Sequence, residues 1–240
     1  MQSDMNQKLL LAEKFFSVQG EYPRVGYPCV FYRFYKCNFK CPFCDTMKDG
    51  FLPYTSYSIK ELVKEYEEKY KGIGITFTGG EPGLFASSIY NFLKAIPIII
   101  PYVIIETNGT FLKQENIDML YSCSHLEKFF ITVSPKYYMY KDNLEKYFES
   151  EYYKNILEFF KIEKAVYLKL VVDPQYPLEF FRKIVEDFIH ASPFENWRIS
   201  LMPLTGNDEL HEQSVAYIKE LILTYYIGFS PRIHLTYRFR

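Results

Sequence analysis

"CVFYRFYKCNFKCPFCDT", residues 29–46, runs a short apolar and aromatic segment straight into a loop with three cysteines. The segment 29–34 has strand character, being apolar and rich in aromatic residues. Cys37, Cys41 and Cys44 follow, separated by three residues and then by two. Thiolates this close in sequence can wrap one metal centre, yet no fourth sulfur completes the set. A structural zinc takes four Cys or His ligands. The four histidines, His125, His190, His211 and His234, lie far along the chain without partner spacing. A 4Fe-4S cluster also has four irons to ligate, and three thiolates would leave one open to a small chelating ligand. Zinc with a distant recruit and an iron-sulfur cluster with a vacant position both remain open on spacing alone.

Outward from this loop, apolar runs alternate with helical stretches. Strands are expected at 29–34, 74–78, 102–107, 129–134, 166–172 and 198–204, and helices near 58–71, 86–95, 113–122, 142–161, 177–190 and 208–225. Strands this apolar, separated by helices, predict a parallel sheet covered by helices, either an α/β barrel or an open doubly wound sheet. The charged, aromatic stretch 136–161 has the look of an insertion. No low-complexity linker or repeat interrupts the chain, so a single domain over 1–240 is expected. The unusual residues fall at strand ends: the cysteine loop after the first, "GGEPG" (79–83) after the second, "TNGT" (107–110) at the third, "SPK" (134–136) at the fourth and "MPLTGN" (202–207) at the sixth. In parallel α/β folds that end of the sheet binds ligands.

Composition narrows the class. The chain is 48% hydrophobic, enough to bury a core, and its formal charge of −1 gives no electrostatic footprint for nucleic acid. The polar opening "MQSDMNQKLL" lacks the apolar core of a secretory signal. The longest aliphatic run, "AIPIIIPYVII", is too short for a membrane span and is broken by Pro97 and Pro101. A cytoplasmic protein with no membrane partner is expected. Five cysteines, three of them crowded, suit metal or redox chemistry better than a disulfide framework. Cys29 and Cys123 read as buried small residues.

The spacing of Cys37, Cys41 and Cys44 after a first strand, with an aromatic before the last cysteine, resembles the radical S-adenosylmethionine (radical SAM) superfamily. That resemblance implies a 4Fe-4S cluster on the three thiols, an incomplete six-stranded parallel barrel, and SAM chelating the open iron and cleaved to methionine and a 5′-deoxyadenosyl radical. "TGGEP" (Thr78–Pro82) resembles the motif contacting SAM's methionine ammonium, which implies roles for Gly79, Gly80 and Glu81. "ETNGT", with Glu106 and Asn108, and "SPK", Ser134, Pro135 and Lys136, resemble the segments holding its ribose and carboxylate.

Two further stretches, "FFSVQGEYPRVGYPCVFYRF" (15–34) and "CDT" (44–46), closely resemble the 7-carboxy-7-deazaguanine synthase family. The match is dense in the N-terminal half and thins after Lys136. It implies conversion of 6-carboxytetrahydropterin to 7-carboxy-7-deazaguanine with loss of ammonia, in queuosine and related biosynthesis serving tRNA modification. It also implies that Val18, Gln19, Gly20, Glu21, Arg33 and Thr78 hold the pterin, that Thr46 ligates Mg²⁺, and that Cys44, Asp45 and Thr46 lie along SAM. A flavodoxin or ferredoxin reductant and a homodimer follow from the same resemblance. Arg33 makes chemical sense independently, because its planar fork suits a carboxylate. Each assignment has a structural alternative: a turn at Gln19–Gly20, an ion pair at Arg33, a helix N-cap at Thr46 and a core or solvated role for His234. Two rival functions are a radical SAM activase installing a glycyl radical on a partner protein, and a structural metal clip in a binding module.

Overall fold

A computed structural model describes residues 5–42, 44, 46, 51–204 and 208–239. The chain divides into two compact units: the residues up to Val18 with Tyr27–Ile131, and Gln19–Gly26 with Thr132–Phe239.

The first unit holds strands β1 (Lys8–Val18), β2 (Pro28–Phe34), β3 (Thr55–Ser58), β4 (Gly74–Gly79) and β5 (Val103–Thr107), with helices α1 (Ile59–Lys69), α2 (Ala86–Ala95) and α3 (Gln114–Tyr121). Its strand order is β3–β1–β2–β4–β5. The pairs β2–β4 and β4–β5 are parallel, while β1 runs antiparallel to both β2 and β3. The strands are apolar because both faces are covered: Tyr32, Phe34, Ile75, Phe77, Val103, Ile104 and Ile105 are all fully buried. Phe34 stacks on Phe85 with ring centroids 4.5 Å apart, and Tyr32 meets Phe92 edge-on at 5.2 Å. Each such ring contributes about 2–3 kcal/mol by leaving water. Helix α1 starts where its sequence says it should. Ser58 accepts the Glu61 N–H and the Glu61 carboxylate accepts the Ser58 N–H, a reciprocal cap. Register does the positioning: Arg33 lies opposite Thr78 and Phe34 opposite Gly79. The cysteine loop and the double-glycine turn therefore leave the sheet side by side.

A further strand, β6 (Phe129–Val133), begins in the first unit and ends in the second. The second unit holds α4 (Glu145–Glu149), α5 (Glu151–Ile162), β7 (Val166–Val172), α6 (Leu178–Ala191), β8 (Ile199–Pro203), α7 (Asp208–Tyr225), β9 (Gly228–Phe229) and α8 (Ile233–Thr236). Strands β7, β8 and β9 pair in parallel. The stretch 136–161 belongs to this unit's core, with Tyr137, Tyr147 and Phe160 fully buried. The one helix expected near 142–161 is two. Ser150 ends α4 and caps α5, its hydroxyl accepting the Tyr153 N–H at 3.2 Å.

All six expected strands are present, at β2, β4, β5, β6, β7 and β8. The antiparallel β1 and β3 and the two-residue β9 lie outside that expectation. No helix among the described residues is long and apolar enough to cross a membrane.

Candidate active site

In the first unit the cysteine loop hangs from a closed neck. Lys36 bridges to Phe51, and Leu52 N–H donates to the Tyr35 carbonyl at 2.8 Å. The turn after β4 zips onto the same backbone: Gly80 N–H donates to the Phe34 carbonyl and Glu81 N–H to that of Lys36, both at 2.8 Å. This closeness is why two glycines are needed. Gly79 sits at φ +96°, where a side chain is strained, and a Cβ on Gly80 would lie 1.9 Å from the Lys36 oxygen. The sequence predicts that these glycines admit a ligand; the structure shows them admitting the chain's own backbone next to Cys37. Gly80→Ala is expected to destabilise this unit by about 3 kcal/mol, because backbone must move to make room. It should also cut iron uptake, and a thermal melt paired with an iron assay checks both. A variant with an unchanged midpoint and full iron would contradict it.

The Glu81 carboxylate, 1% exposed, points into the same turn. Its Oε1 accepts the Gly83 N–H at 2.7 Å and the Thr107 hydroxyl at 2.6 Å, and its Oε2 accepts the Asn108 N–H at 2.7 Å. Glu81 thus ties the ends of β4 and β5 together. Cys37, Cys41 and Cys44 are partly exposed and not disulfide-bonded. Phe39 N–H points at Cys37 Sγ (3.4 Å), and Cys44 N–H donates to the Cys41 carbonyl (3.2 Å). Among the described residues no three His, Cys, Asp or Glu side chains converge as a single-ion site. Thiols that each hold a separate iron of a cluster have no need to converge in that way. Cys29 behaves differently. It is fully buried on β2, and burial pushes its thiol up to about 12, so it stays protonated and packs as a small residue.

Beside the loop, Arg33 donates from one guanidinium nitrogen to the Thr46 hydroxyl at 3.0 Å, while its Nε lies 3.1 Å from the Glu13 carboxylate. The expected carboxylate receptor and the expected metal-ligating hydroxyl are therefore in contact, and the ion-pair alternative for Arg33 is realised at the same time. Opposite Arg33, the Thr78 hydroxyl donates to Glu106 at 2.6 Å. Asp45 lies outside the described residues, as do residues 205–207 of "MPLTGN".

In the second unit the Gln19–Gly20–Glu21 segment is gripped by the C-terminal stretch. Ile233 N–H donates to the Gly20 carbonyl (3.2 Å), and Tyr22 N–H to the Ser230 hydroxyl (3.1 Å). A Cβ on Gly20 would lie 1.7 Å from His234 Nδ1. Glu21 N–H folds back onto the Gln19 side-chain oxygen at 3.1 Å, so the turn alternative is also realised. The Glu21 carboxylate pairs with the Lys169 ammonium and lies 3.6 Å from Arg232 Nε. Burial alone would raise its pKa, but Lys169 and Arg232 outweigh that cost, with His234 adding to them, and hold the carboxyl below its ordinary value of 4.5. Val18, the last residue of β1, pairs with Pro28 in the first unit. Ser134 and Lys136 meet through the Lys136 ammonium and Ser134 hydroxyl at 3.2 Å, across the buried Pro135, and Lys136 N–H donates to the Tyr152 hydroxyl at 2.9 Å.

Sequence reasoning missed Lys169 and Arg232, which hold Glu21, and Asn38 and Thr110, which brace Asn108. Lys169 did leave a signal, being the one charged residue in the apolar run "VYLKLVV". The sequence suggests a core or solvated His234; in the structure it packs on Gly20.

The Radical SAM superfamily profile matches residues 31–188. The chain is 28% identical over 242 residues to a protein of Hyperthermus butylicus named 7-carboxy-7-deazaguanine synthase, covering 97% of this chain and 94% of that one. A protein of the same name from Aquifex aeolicus is 29% identical over 238 residues, covering 94% and 92%. Among solved structures, that of QueE from Escherichia coli matches with a TM-score of 0.59 at 18% identity, over 95% of each chain, a likeness of fold.

Proposed function

The chain belongs to the radical SAM superfamily, and on that premise we propose that it catalyses the reaction of the 7-carboxy-7-deazaguanine synthases. It would convert 6-carboxy-5,6,7,8-tetrahydropterin to 7-carboxy-7-deazaguanine with loss of ammonia. The observation that carries the reading is the 3.0 Å contact between Arg33 and Thr46, two residues beyond the last cysteine. It puts a fork suited to a carboxylate next to a hydroxyl oxygen suited to a hard cation.

Three partly exposed thiols on one loop fit a 4Fe-4S cluster with an open iron. When bound there with SAM, the cluster supplies reductive cleavage that yields a carbon radical for hydrogen abstraction. The chain's part is to bind and orient. Cys37, Cys41 and Cys44 hold the cluster. Gly79 and Gly80 offer backbone to the amino-acid end of SAM, with Glu81 bracing that turn from behind. Cys44, Asp45, Thr46, Glu106, Asn108 and Ser134–Lys136 complete the SAM site. Arg33 takes the pterin carboxylate, Thr46 contributes its hydroxyl to Mg²⁺, and Val18–Glu21 with Thr78 hold the pterin ring. Closing such a site against water protects a radical from side reactions. The reading brings with it a cytoplasmic setting, a flavodoxin or ferredoxin as reductant, a homodimer, and a place in queuosine or other 7-deazapurine biosynthesis. Glycyl-radical activation is not favoured, because two relatives that match along nearly the whole chain are named 7-carboxy-7-deazaguanine synthases.

An anaerobic assay with SAM, reductant, Mg²⁺ and 6-carboxytetrahydropterin should form 7-carboxy-7-deazaguanine. Cleavage of SAM without that product would remove the pterin reading and leave the superfamily chemistry in place. Thr46→Ala is expected to raise the Mg²⁺ requirement about tenfold while iron content holds. Equal loss of both would make Thr46 a structural residue of the loop.

A further inference from the structure

Asn108 is buried at the end of β5, 4% exposed, and its side-chain amide is fixed at every corner. Its Oδ1 accepts both the N–H and the hydroxyl of Thr110, at 3.0 and 2.7 Å. Its Nδ2 donates to Asn38 Oδ1 at 2.9 Å and faces Cys37 Sγ at 3.8 Å. Asn38 Nδ2 closes the ring by donating to the Thr110 hydroxyl at 2.8 Å. This circuit settles the orientation of the amide, because flipping it would set its NH₂ against the Thr110 N–H. The backbone N–H of Asn108 is in turn pinned on Glu81 at 2.7 Å. A rigid donor therefore points at a cysteine sulfur from a different strand end.

We propose that Asn108 is a positioning residue that donates an N–H to the Cys37 thiolate and thereby raises the reduction potential of the cluster held there. This rests on the reading above that a 4Fe-4S cluster occupies the three thiols. A donor aimed at a ligating sulfur withdraws negative charge from it. It therefore stabilises the reduced cluster, which carries one more electron, over the oxidised one. The Phe39 N–H at 3.4 Å acts on the same sulfur in the same sense. Asn38 and Thr110 serve by holding the amide so that its NH₂, and not its oxygen, meets Cys37.

The test is an EPR-monitored redox titration of the anaerobically reconstituted full chain, without SAM or substrate, alongside iron and sulfide determinations. Asn108→Ala should lower the reduced-to-oxidised ratio at a given potential about tenfold, a midpoint about 59 mV more negative. Asn108→Asp should lower it further, since an acceptor carrying negative charge replaces the donor at the same volume. Thr110→Val keeps Asn108 and the N–H of residue 110 that holds its Oδ1, but removes the hydroxyl that joins Asn108 to Asn38, and should move the midpoint in the same direction by less. Should Asn108→Ala fail to retain iron, Asn108→Asp and Thr110→Val provide the same comparison. Midpoints equal to that of the unaltered chain at full iron content, or shifts to more positive values, would overturn the inference alone. Failure of the unaltered chain to take up an iron-sulfur cluster would overturn the functional reading beneath it as well.

Discussion

Glu81→Ala is expected to destabilise the first unit by about 3–5 kcal/mol and to lower the thermal midpoint by about 10 °C. The carboxylate accepts from Gly83 N–H, Thr107 O–H and Asn108 N–H inside a buried turn. Each donor left without a partner there costs about 1–3 kcal/mol, and a water in the vacated space recovers part of the sum. Glu81→Gln should fall between the two proteins. Whichever way the amide sits, its NH₂ confronts either the Gly83 or the Asn108 N–H, while the Thr107 hydroxyl can rotate to accept. The experiment separates two jobs for the residue. A bracing role predicts that the midpoint falls in the order native, Gln, Ala, with iron retention following it. If Glu81 acted solely as a ligand for the ammonium of SAM, Glu81→Gln would keep the native midpoint and raise only the KM for SAM.

Glu21→Gln is the second large effect, expected to cost about 3 kcal/mol at neutral pH. The amide still accepts from Lys169, but the Lys169 ammonium and the Arg232 guanidinium lose the charge that offsets their burial. The sign of the pH dependence follows from the depressed pKa of Glu21. A carboxyl lowered on folding contributes stability that is fully present above its ordinary value of 4.5 and is lost as the pH falls through its folded-state value. The midpoints of native protein and Glu21→Gln should therefore lie apart at neutral pH and converge in acid. A gap of constant size across that range would show that Glu21 is held by shape and not by charge. The consequence reaches function, because Glu21 is joined to Gly20, whose carbonyl the C-terminal stretch holds through Ile233. Loosening this segment should raise the KM for the pterin more than that for SAM.

These two residues also show where sequence reading stops. Strands β2, β4, β5, β6, β7 and β8 were legible because burial on both faces leaves continuous apolar runs. Strand β1 was not: "KLLLAEKFFSV" puts charges next to triple leucine, and its antiparallel pairing with β2 and β3 is a long-range choice without a local signature. Ser150 is a residue type suited to an N-cap, but it lies within a charged, aromatic run that reads as one helix. At the site, residue types and spacing named Cys37, Cys41 and Cys44, while Arg33 came from the family resemblance with its carboxylate-binding fork in support. Thr46 was named by resemblance alone, and its contact with Arg33 is visible only in the structure. The partners of Glu21 lie 148 and 211 residues away in sequence, beyond any motif. Similarly, the glycines of "TGGEP" were recognised, but their immediate neighbour, the Lys36 carbonyl, follows from the β2–β4 register.

Everything turns on whether three thiols hold a cluster that keeps one iron for SAM. The most direct measurement is EPR of the reduced, anaerobically reconstituted chain with and without SAM, combined with metal analysis. The account predicts about four irons per chain and a spectrum that changes when SAM is added. One tightly held zinc without iron, or a cluster whose spectrum ignores SAM, would contradict it.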